Sequence, residues 1–77
     1  MTMYRIETHM TFSESKNTYH EVEGTFDNLQ DADRAFYKII NETSNREAVQ
    51  HDEHHVTMWL NNREYCYATM ELEINII

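Results

Sequence analysis

The chain of 77 residues contains no proline, one glycine and one cysteine, and it has no long apolar run. A single cysteine cannot form an internal disulfide, which argues against a disulfide-stapled secreted scaffold. One glycine is too few for a phosphate-binding loop or a dinucleotide fingerprint. No apolar stretch approaches the roughly 18 residues of a membrane-spanning helix, and the first residues do not follow the pattern of a signal peptide. These absences predict one small cytoplasmic domain without a cofactor.

Basic residues are also scarce. Six Lys and Arg stand against fourteen Asp and Glu, and the formal charge is −8 at neutral pH. This charge repels nucleic acid and anionic membranes, so we expect no direct contact with either. It favours a basic protein as partner, including proteins that themselves bind nucleic acid.

Alternation of apolar and polar residues predicts four β-strands, at residues 3–12, 18–26, 54–60 and 63–76. A polar loop separates the first two strands. Asn61-Asn62 is a plausible turn between the last two, because asparagine tolerates a positive φ.

Helical spacing replaces the alternation between the second and third strands. The apolar stripe begins at Leu29 and reaches Thr43, and Asp27 with Gln30 three residues later fits a helix start. Residues 46–53 are polar and are expected to be a connection. The order ββαββ predicts an α+β domain, a four-stranded antiparallel sheet with one helix packed on one face. Gly24 is expected to mark a bulge or a close approach of another element.

Successive side chains of a strand point to opposite faces of the sheet. In each predicted strand the alternate residues that are mostly apolar, among them His20, Val22 and Cys66, are assigned to the core. The other alternate residues are predicted to lie on the face that the helix leaves uncovered. The predicted uncovered face consists of Arg5, Glu7, His9, Tyr19, Glu21, Glu23, His55, Trp59, Tyr65, Tyr67, Glu71 and Glu73.

Five glutamates and four large aromatic residues dominate this predicted face. Like charges close together destabilise a sheet, so the pattern favours a function over stability. The competing interpretation is an ordinary solvated face. We predict a docking surface for a basic protein, in which glutamates steer association and aromatic residues anchor the complex. The predicted partner-binding residues are Glu7, Tyr19, Glu21, Glu23, Trp59, Tyr65, Tyr67, Glu71 and Glu73.

The ββαββ pattern, the charge of −8 and the glutamates of the predicted face together resemble a class of known proteins. This class comprises small acidic phage-encoded inhibitors of the anti-CRISPR and anti-restriction type, some of which mimic DNA. The resemblance covers the whole chain through size, charge and pattern, and no single motif carries it. It implies a stoichiometric inhibitor of a host or defence protein.

A second hypothesis is a structural homodimer, or a subunit of a larger assembly, in which the same face is an obligate interface. Trp59, Tyr65 and Tyr67 could then bury against a second copy. The small core, typical of a domain of this size, would gain stability from self-association.

Catalytic and metal chemistry find little support in the sequence. The run His51-Asp52-Glu53-His54-His55 has ligand-type residues, but it lacks the spacing of a zinc protease and is expected to be a solvated loop that enters a strand. No catalytic residue and no metal ligand is therefore predicted, and the chain is not expected to be an enzyme. Protonation of all five histidines would change the formal charge from −8 to −3, which would weaken acidic docking near pH 6.5.

Overall fold

The structure, a computed structural model, describes residues 2–43, 46–61 and 65–77. Its elements, in chain order, are β1 (Tyr4–Phe12), β2 (Thr18–Phe26), α1 (Leu29–Glu42), β3 (Arg46–Asp52), β4 (His55–Asn61) and β5 (Cys66–Ile76). All five strands belong to one antiparallel sheet in the order β2-β1-β5-β4-β3. The predicted α+β class, with one helix on an antiparallel sheet, is confirmed, and the predicted number of four strands is wrong.

The additional strand is β3, which occupies the segment that was predicted to be a polar connection. It pairs only with β4 and forms one edge of the sheet. Its residues 47–52 are exposed, so the alternation that reveals a half-buried strand has no reason to be present. The predicted Asn61-Asn62 turn falls partly outside the described residues, as does the predicted start of the last strand at residue 63. Asn61 itself is the last residue of β4.

Helix α1 begins one residue later than the sequence suggested. The cap is Asn28 rather than Asp27: its side chain accepts a hydrogen bond from the Asp31 backbone amide at 2.9 Å. At the other end the Thr43 hydroxyl donates to the Ile39 carbonyl at 2.8 Å. These side-chain bonds satisfy backbone groups that have no partner inside the helix.

The core lies between α1 and one face of the sheet. The helix packs against β1, β2 and β5 and buries Ala32, Phe36 and Ile40. The buried sheet residues of this core are Ile6, Val56, Met58, Leu60, Ala68, Met70 and Leu72. No helix within the described ranges is long and apolar enough to span a membrane.

Polar contacts join α1 to the β3–β4 hairpin. The Tyr37 hydroxyl donates to the Glu53 carbonyl at 3.2 Å and accepts from the Gln50 amide at 3.0 Å. Asp33 Oδ1 lies 2.9 Å from His54 Nε2. The hairpin is therefore tied to the helix through its turn.

A β-bulge at Glu23 reverses the faces of the first half of β2. Ile6 pairs with Gly24 and the next residue, Glu7, pairs with Val22, so Glu23 is an extra residue. The predicted bulge is thus confirmed, next to Gly24. A Cβ added to Gly24 would lie 3.0 Å from the Phe26 ring, which belongs to the same strand rather than to another element. Phe26 lies on the helix side, whereas Val22 lies on the opposite side and is 47% exposed.

A second bulge lies in β3, the other edge strand. Gln50 pairs with Val56 and Asp52 pairs with His55, which leaves His51 as the extra residue. Each edge of the sheet is therefore interrupted by one bulge.

Candidate protein-binding surface

The sheet face turned away from α1 is called the open face. It follows from the strand registers and from the buried residues of the opposite face. Its members are Arg5, Glu7, His9, Thr11, Thr18, His20, Val22, Thr25, Glu47, Val49, His51, Asp52, His55, Thr57, Trp59, Thr69, Glu71, Glu73 and Asn75. Four glutamates, one aspartate and one arginine give this face a formal charge of −4 when its four histidines are neutral.

The centre of the open face is a row of carboxylates on two neighbouring strands. Glu7 of β1 lies directly opposite Glu73 of β5, and Glu71 lies opposite His9. Directly opposed residues in an antiparallel pair have Cβ atoms about 5 Å apart, and Glu71 and Glu73 are about 6.7 Å apart along their strand. The prediction that Glu7, Glu71 and Glu73 share the face that the helix leaves uncovered is confirmed, and the strand order places them side by side.

Glu7 is the most enclosed carboxylate of the row, with a side chain that is 14% exposed. The Asn75 amide donates to Oε2 of this carboxylate. On the other oxygen, Oε1 lies 3.0 Å from His20 Nε2 and 4.0 Å from the Arg5 guanidinium. The hydrogen bond from Asn75 lowers the pKa of the Glu7 carboxyl most; partial burial opposes this, while His20 and Arg5 lower the pKa further.

The other two carboxylates are more accessible and each has one imidazole neighbour. Glu73 Oε1 lies 3.3 Å from His9 Nε2, and its side chain is 31% exposed. Glu71 Oε1 lies 3.6 Å from His55 Nε2, and its side chain is 50% exposed. Glu71 is therefore the most exposed carboxylate of the row.

Trp59 lies on β4 beside this row, as predicted. It is opposite Thr69 of β5 on one side and Glu47 of β3 on the other. Its side chain is partly exposed, and the neighbouring Thr57 is buried under the side chains of the same face. A large ring and two carboxylates, on Glu47 and Glu71, thus lie on three adjacent strands.

The tyrosines Tyr65 and Tyr67 lie at one end of the sheet rather than beside the glutamates. Ala68 pairs with Leu60 and Cys66 with Asn61, so Tyr67 is an extra residue in β5, and Tyr65 precedes the strand. Both tyrosines line a shallow pocket beside the β1–β2 turn. The other residues of that pocket are Phe12, Glu14 and Ser15.

Three predicted members of the uncovered face lie on the helix side instead. Glu21 pairs with the buried Thr8 and Tyr19 pairs with Met10, both helix-side residues, and the Glu23 carboxylate accepts from the Thr8 hydroxyl at 3.1 Å. The prediction that Tyr19, Glu21 and Glu23 share a face with Glu7 is wrong because the bulge at Glu23 breaks the alternation.

The same bulge places His20 on the open face, although its parity suggested the core. His51, which was expected in a loop, also belongs to this face through the unpredicted strand β3. Glycine at position 24 was the one sequence signal of the bulge, whereas nothing in residues 46–52 signals a strand. Histidines therefore form a larger part of the face than the sequence indicated.

The His51–His55 run does not gather into one site. His51 and His55 lie on the open face, whereas His54 turns towards Asp33 of the helix. Among the residues that the structure describes, no group of three or more His, Cys, Asp or Glu side chains is arranged to hold a metal ion. Cys66, which was predicted to be buried in the core, is only partly buried, and its thiol donates to the Ala68 carbonyl at 3.3 Å.

Comparison of the chain with protein families, curated proteins and solved structures finds no match. The surface must therefore be interpreted from its own geometry.

Proposed function

We propose that the protein binds a basic protein through the open face and thereby inhibits that partner's contact with nucleic acid. The observation that carries the proposal is the row formed by Glu7, Glu73 and Glu71 on the two central strands. Directly opposed like charges destabilise a sheet, and imidazoles relieve this repulsion fully only when protonated. A partner that supplies lysine or arginine to the row would remove the repulsion and would gain charge-assisted hydrogen bonds.

Trp59 supplies the anchor in this proposal. A guanidinium can stack on an indole ring and at the same time pair with a carboxylate, and arginine is the residue best suited to both contacts. Glu47 and Glu71 lie on the strands that flank Trp59. This arrangement favours an arginine of the partner over a lysine.

Inhibition follows from the chemistry of such a partner. A surface that presents several arginines or lysines in a regular array is typical of a nucleic-acid-binding protein, because phosphates repeat regularly along the backbone. The carboxylates of the open face are spaced about 5 Å apart across the strands and about 6.7 Å apart along a strand. They would form ion pairs with those cations in place of phosphates. The resemblance to small acidic phage-encoded inhibitors supports the same conclusion.

The alternative is a homodimer joined through the open face. Two faces of formal charge −4 would repel each other on stacking at neutral pH, so this arrangement needs an offset that keeps Glu7, Glu71 and Glu73 outside the contact. Light scattering separates the hypotheses: a dimer that persists in high salt favours assembly, and a monomer favours a separate partner.

The test uses two variants with the same charge change on opposite faces. Glu71→Lys alters the open face, and Glu21→Lys alters an exposed residue on the helix side. The wild type and both variants serve as baits for affinity capture from host lysate, followed by mass spectrometry. We expect one nucleic-acid-binding protein to be retained by the wild type and Glu21→Lys and lost from Glu71→Lys. The purified partner should then lose nucleic-acid binding when one equivalent of the wild type is added.

Equal loss from both variants would mean that net charge alone governs capture. Equal retention by both, or capture that persists in about 0.5 M salt, would contradict electrostatic docking at the open face.

A further inference from the structure

Four of the five histidines lie on the open face, and each contacts another polar side chain there. The contacts divide into two pairs of imidazoles, one at each side of the carboxylate row. The first pair joins β1 to β2, and the second joins β3 to β4.

In the first pair, His9 and His20 are directly opposite each other in the register. Their rings are stacked with centroids 4.5 Å apart and an interplanar angle of 10°. His20 Nε2 lies 3.0 Å from Glu7, and His9 Nε2 lies 3.3 Å from Glu73. Each ring therefore has a carboxylate beside it and the other imidazole stacked on its face.

In the second pair, the rings of His51 and His55 have centroids 4.6 Å apart. His55 Nε2 lies 3.6 Å from Glu71, and His51 Nε2 lies 2.6 Å from the Thr57 hydroxyl. The Asp52 carboxylate, across the end of the hairpin from His55, accepts from the His54 backbone amide. His55, rather than His51, is therefore the imidazole of this pair that lies next to a carboxylate of the central row.

The charges that face these four imidazoles come from all five strands, and most of them are the residues that a basic partner would use. They are Arg5 and Glu7 of β1, Glu71 and Glu73 of β5, Glu47 and Asp52 of β3, and the second imidazole of each pair. When all four imidazoles are protonated, the formal charge of the open face changes from −4 to 0. A protonated imidazole also occupies the carboxylate oxygen that a lysine or arginine of the partner would need.

We propose that docking at the open face is proton-gated, so that a basic partner is held at neutral pH and released as the pH falls through the imidazole range. This inference rests on the proposed function of the face. Free imidazole has a pKa of about 6.5, so pH values of about 7.5 and about 5.5 lie on either side of the proposed gate. Because protons and partner compete for the same carboxylates, affinity decreases as protons bind. Electrostatic complementarity, rather than a change of fold, carries the effect.

The probe for the test is a capped peptide of alternating arginine and glycine, which contains no group that titrates in this range. Its dissociation constant is measured by fluorescence anisotropy at about pH 7.5 and about pH 5.5 in about 0.15 M salt. For the wild type we expect affinity to fall about tenfold or more at the lower pH. The second protein is the fourfold variant His9→Gln/His20→Gln/His51→Gln/His55→Gln. Its dissociation constants at the two pH values should differ by less than about twofold, because the four imidazoles are absent.

His54→Gln is the matched control, because this fifth histidine lies by Asp33 on the other face and should leave the tenfold fall intact. If circular dichroism shows that the fourfold variant does not fold, the two pairwise variants replace it, and each should remove part of the pH dependence. Wild-type affinity that is equal at both pH values overturns the proton gate and leaves the proposed function standing. Absence of binding at both pH values overturns both. An unchanged pH dependence in the histidine variants overturns the assignment to these imidazoles.

Discussion

On the helix side of the sheet, Ile6 and Leu72 are at most 1% exposed, whereas their neighbours along the same strands, Glu7, Glu71 and Glu73, lie on the open face. The helix side is held by burial of apolar area, which depends little on pH or salt. The open face carries contacts between charged and polar side chains, and the strength of these contacts depends on pH and on salt. The comparison teaches that apolar burial and contacts between titratable side chains occupy opposite sides of one sheet.

The largest test of this comparison is truncation of the central core residue. Phe36→Ala removes a side chain that is 0% exposed, and we expect the free energy of unfolding to fall by about 3–5 kcal/mol. Val22→Ala on the open face should change it by less than about 1 kcal/mol. Urea unfolding followed by circular dichroism measures both. Similar losses from the two variants would mean that the faces do not differ as described.

A smaller effect tests the attachment of the helix that covers one face. Asn28→Ala removes the cap of α1 and should cost about 1 kcal/mol of unfolding free energy, because the Asp31 amide loses its acceptor. Asp27→Ala, one residue earlier, should cost clearly less in the same urea titration. A greater loss of unfolding free energy from Asp27→Ala would mean that Asp27 is the cap, as the sequence suggested.

The bulge, where β2 exchanges its faces, offers a third test. Gly24→Ala places a Cβ about 3.0 Å from the Phe26 ring, and the crowding should outweigh the gain in backbone order by about 0.5 kcal/mol. Phe26→Leu in the same chain should reduce the cost of Gly24→Ala, as a double-mutant cycle would show. Additive effects of the two substitutions would mean that the ring does not lie over Gly24.

The smallest expected effect concerns acid stability on the open face. The pKa of the Glu7 carboxyl is lowered, chiefly by the hydrogen bond from Asn75, so this group binds protons less readily in the folded state. Its contribution is present above the ordinary glutamate pKa of about 4.3 and is lost as the pH falls through the lower folded value. Glu7→Gln should therefore show a smaller decrease in Tm between neutral and strongly acidic pH than the wild type. Glu14→Gln, in the exposed β1–β2 turn, should retain the full decrease.

The sequence predicts β1, β4, β5 and α1 because each has one buried side, which imposes a period on its residues. In β2, residues 18–23 are exposed, and their alternation predicts a strand without predicting which residues lie on each face. The strand β3 has no such constraint, since backbone pairing with β4 defines it and residues 47–52 are exposed. That Glu7, Glu71, Glu73 and Trp59 share one face was predictable because their strands keep strict alternation through these positions. Their closeness was not predictable, because the strand order cannot be read from the sequence. The faces on which His20 and Glu21 lie were not predictable. One extra residue in β2 inverts the faces, and a hydropathy pattern does not show which residues pair across two strands.

The bulges at Glu23 and His51 have a consequence for the behaviour of the protein at high concentration. Both outer strands present unpaired backbone amides and carbonyls, which are templates on which further chains can add strands and grow into fibrils. An extra residue twists each edge and breaks its register, so a neighbouring molecule cannot pair along its full length. The two irregularities therefore protect a small antiparallel sheet with two open edges from cross-β aggregation.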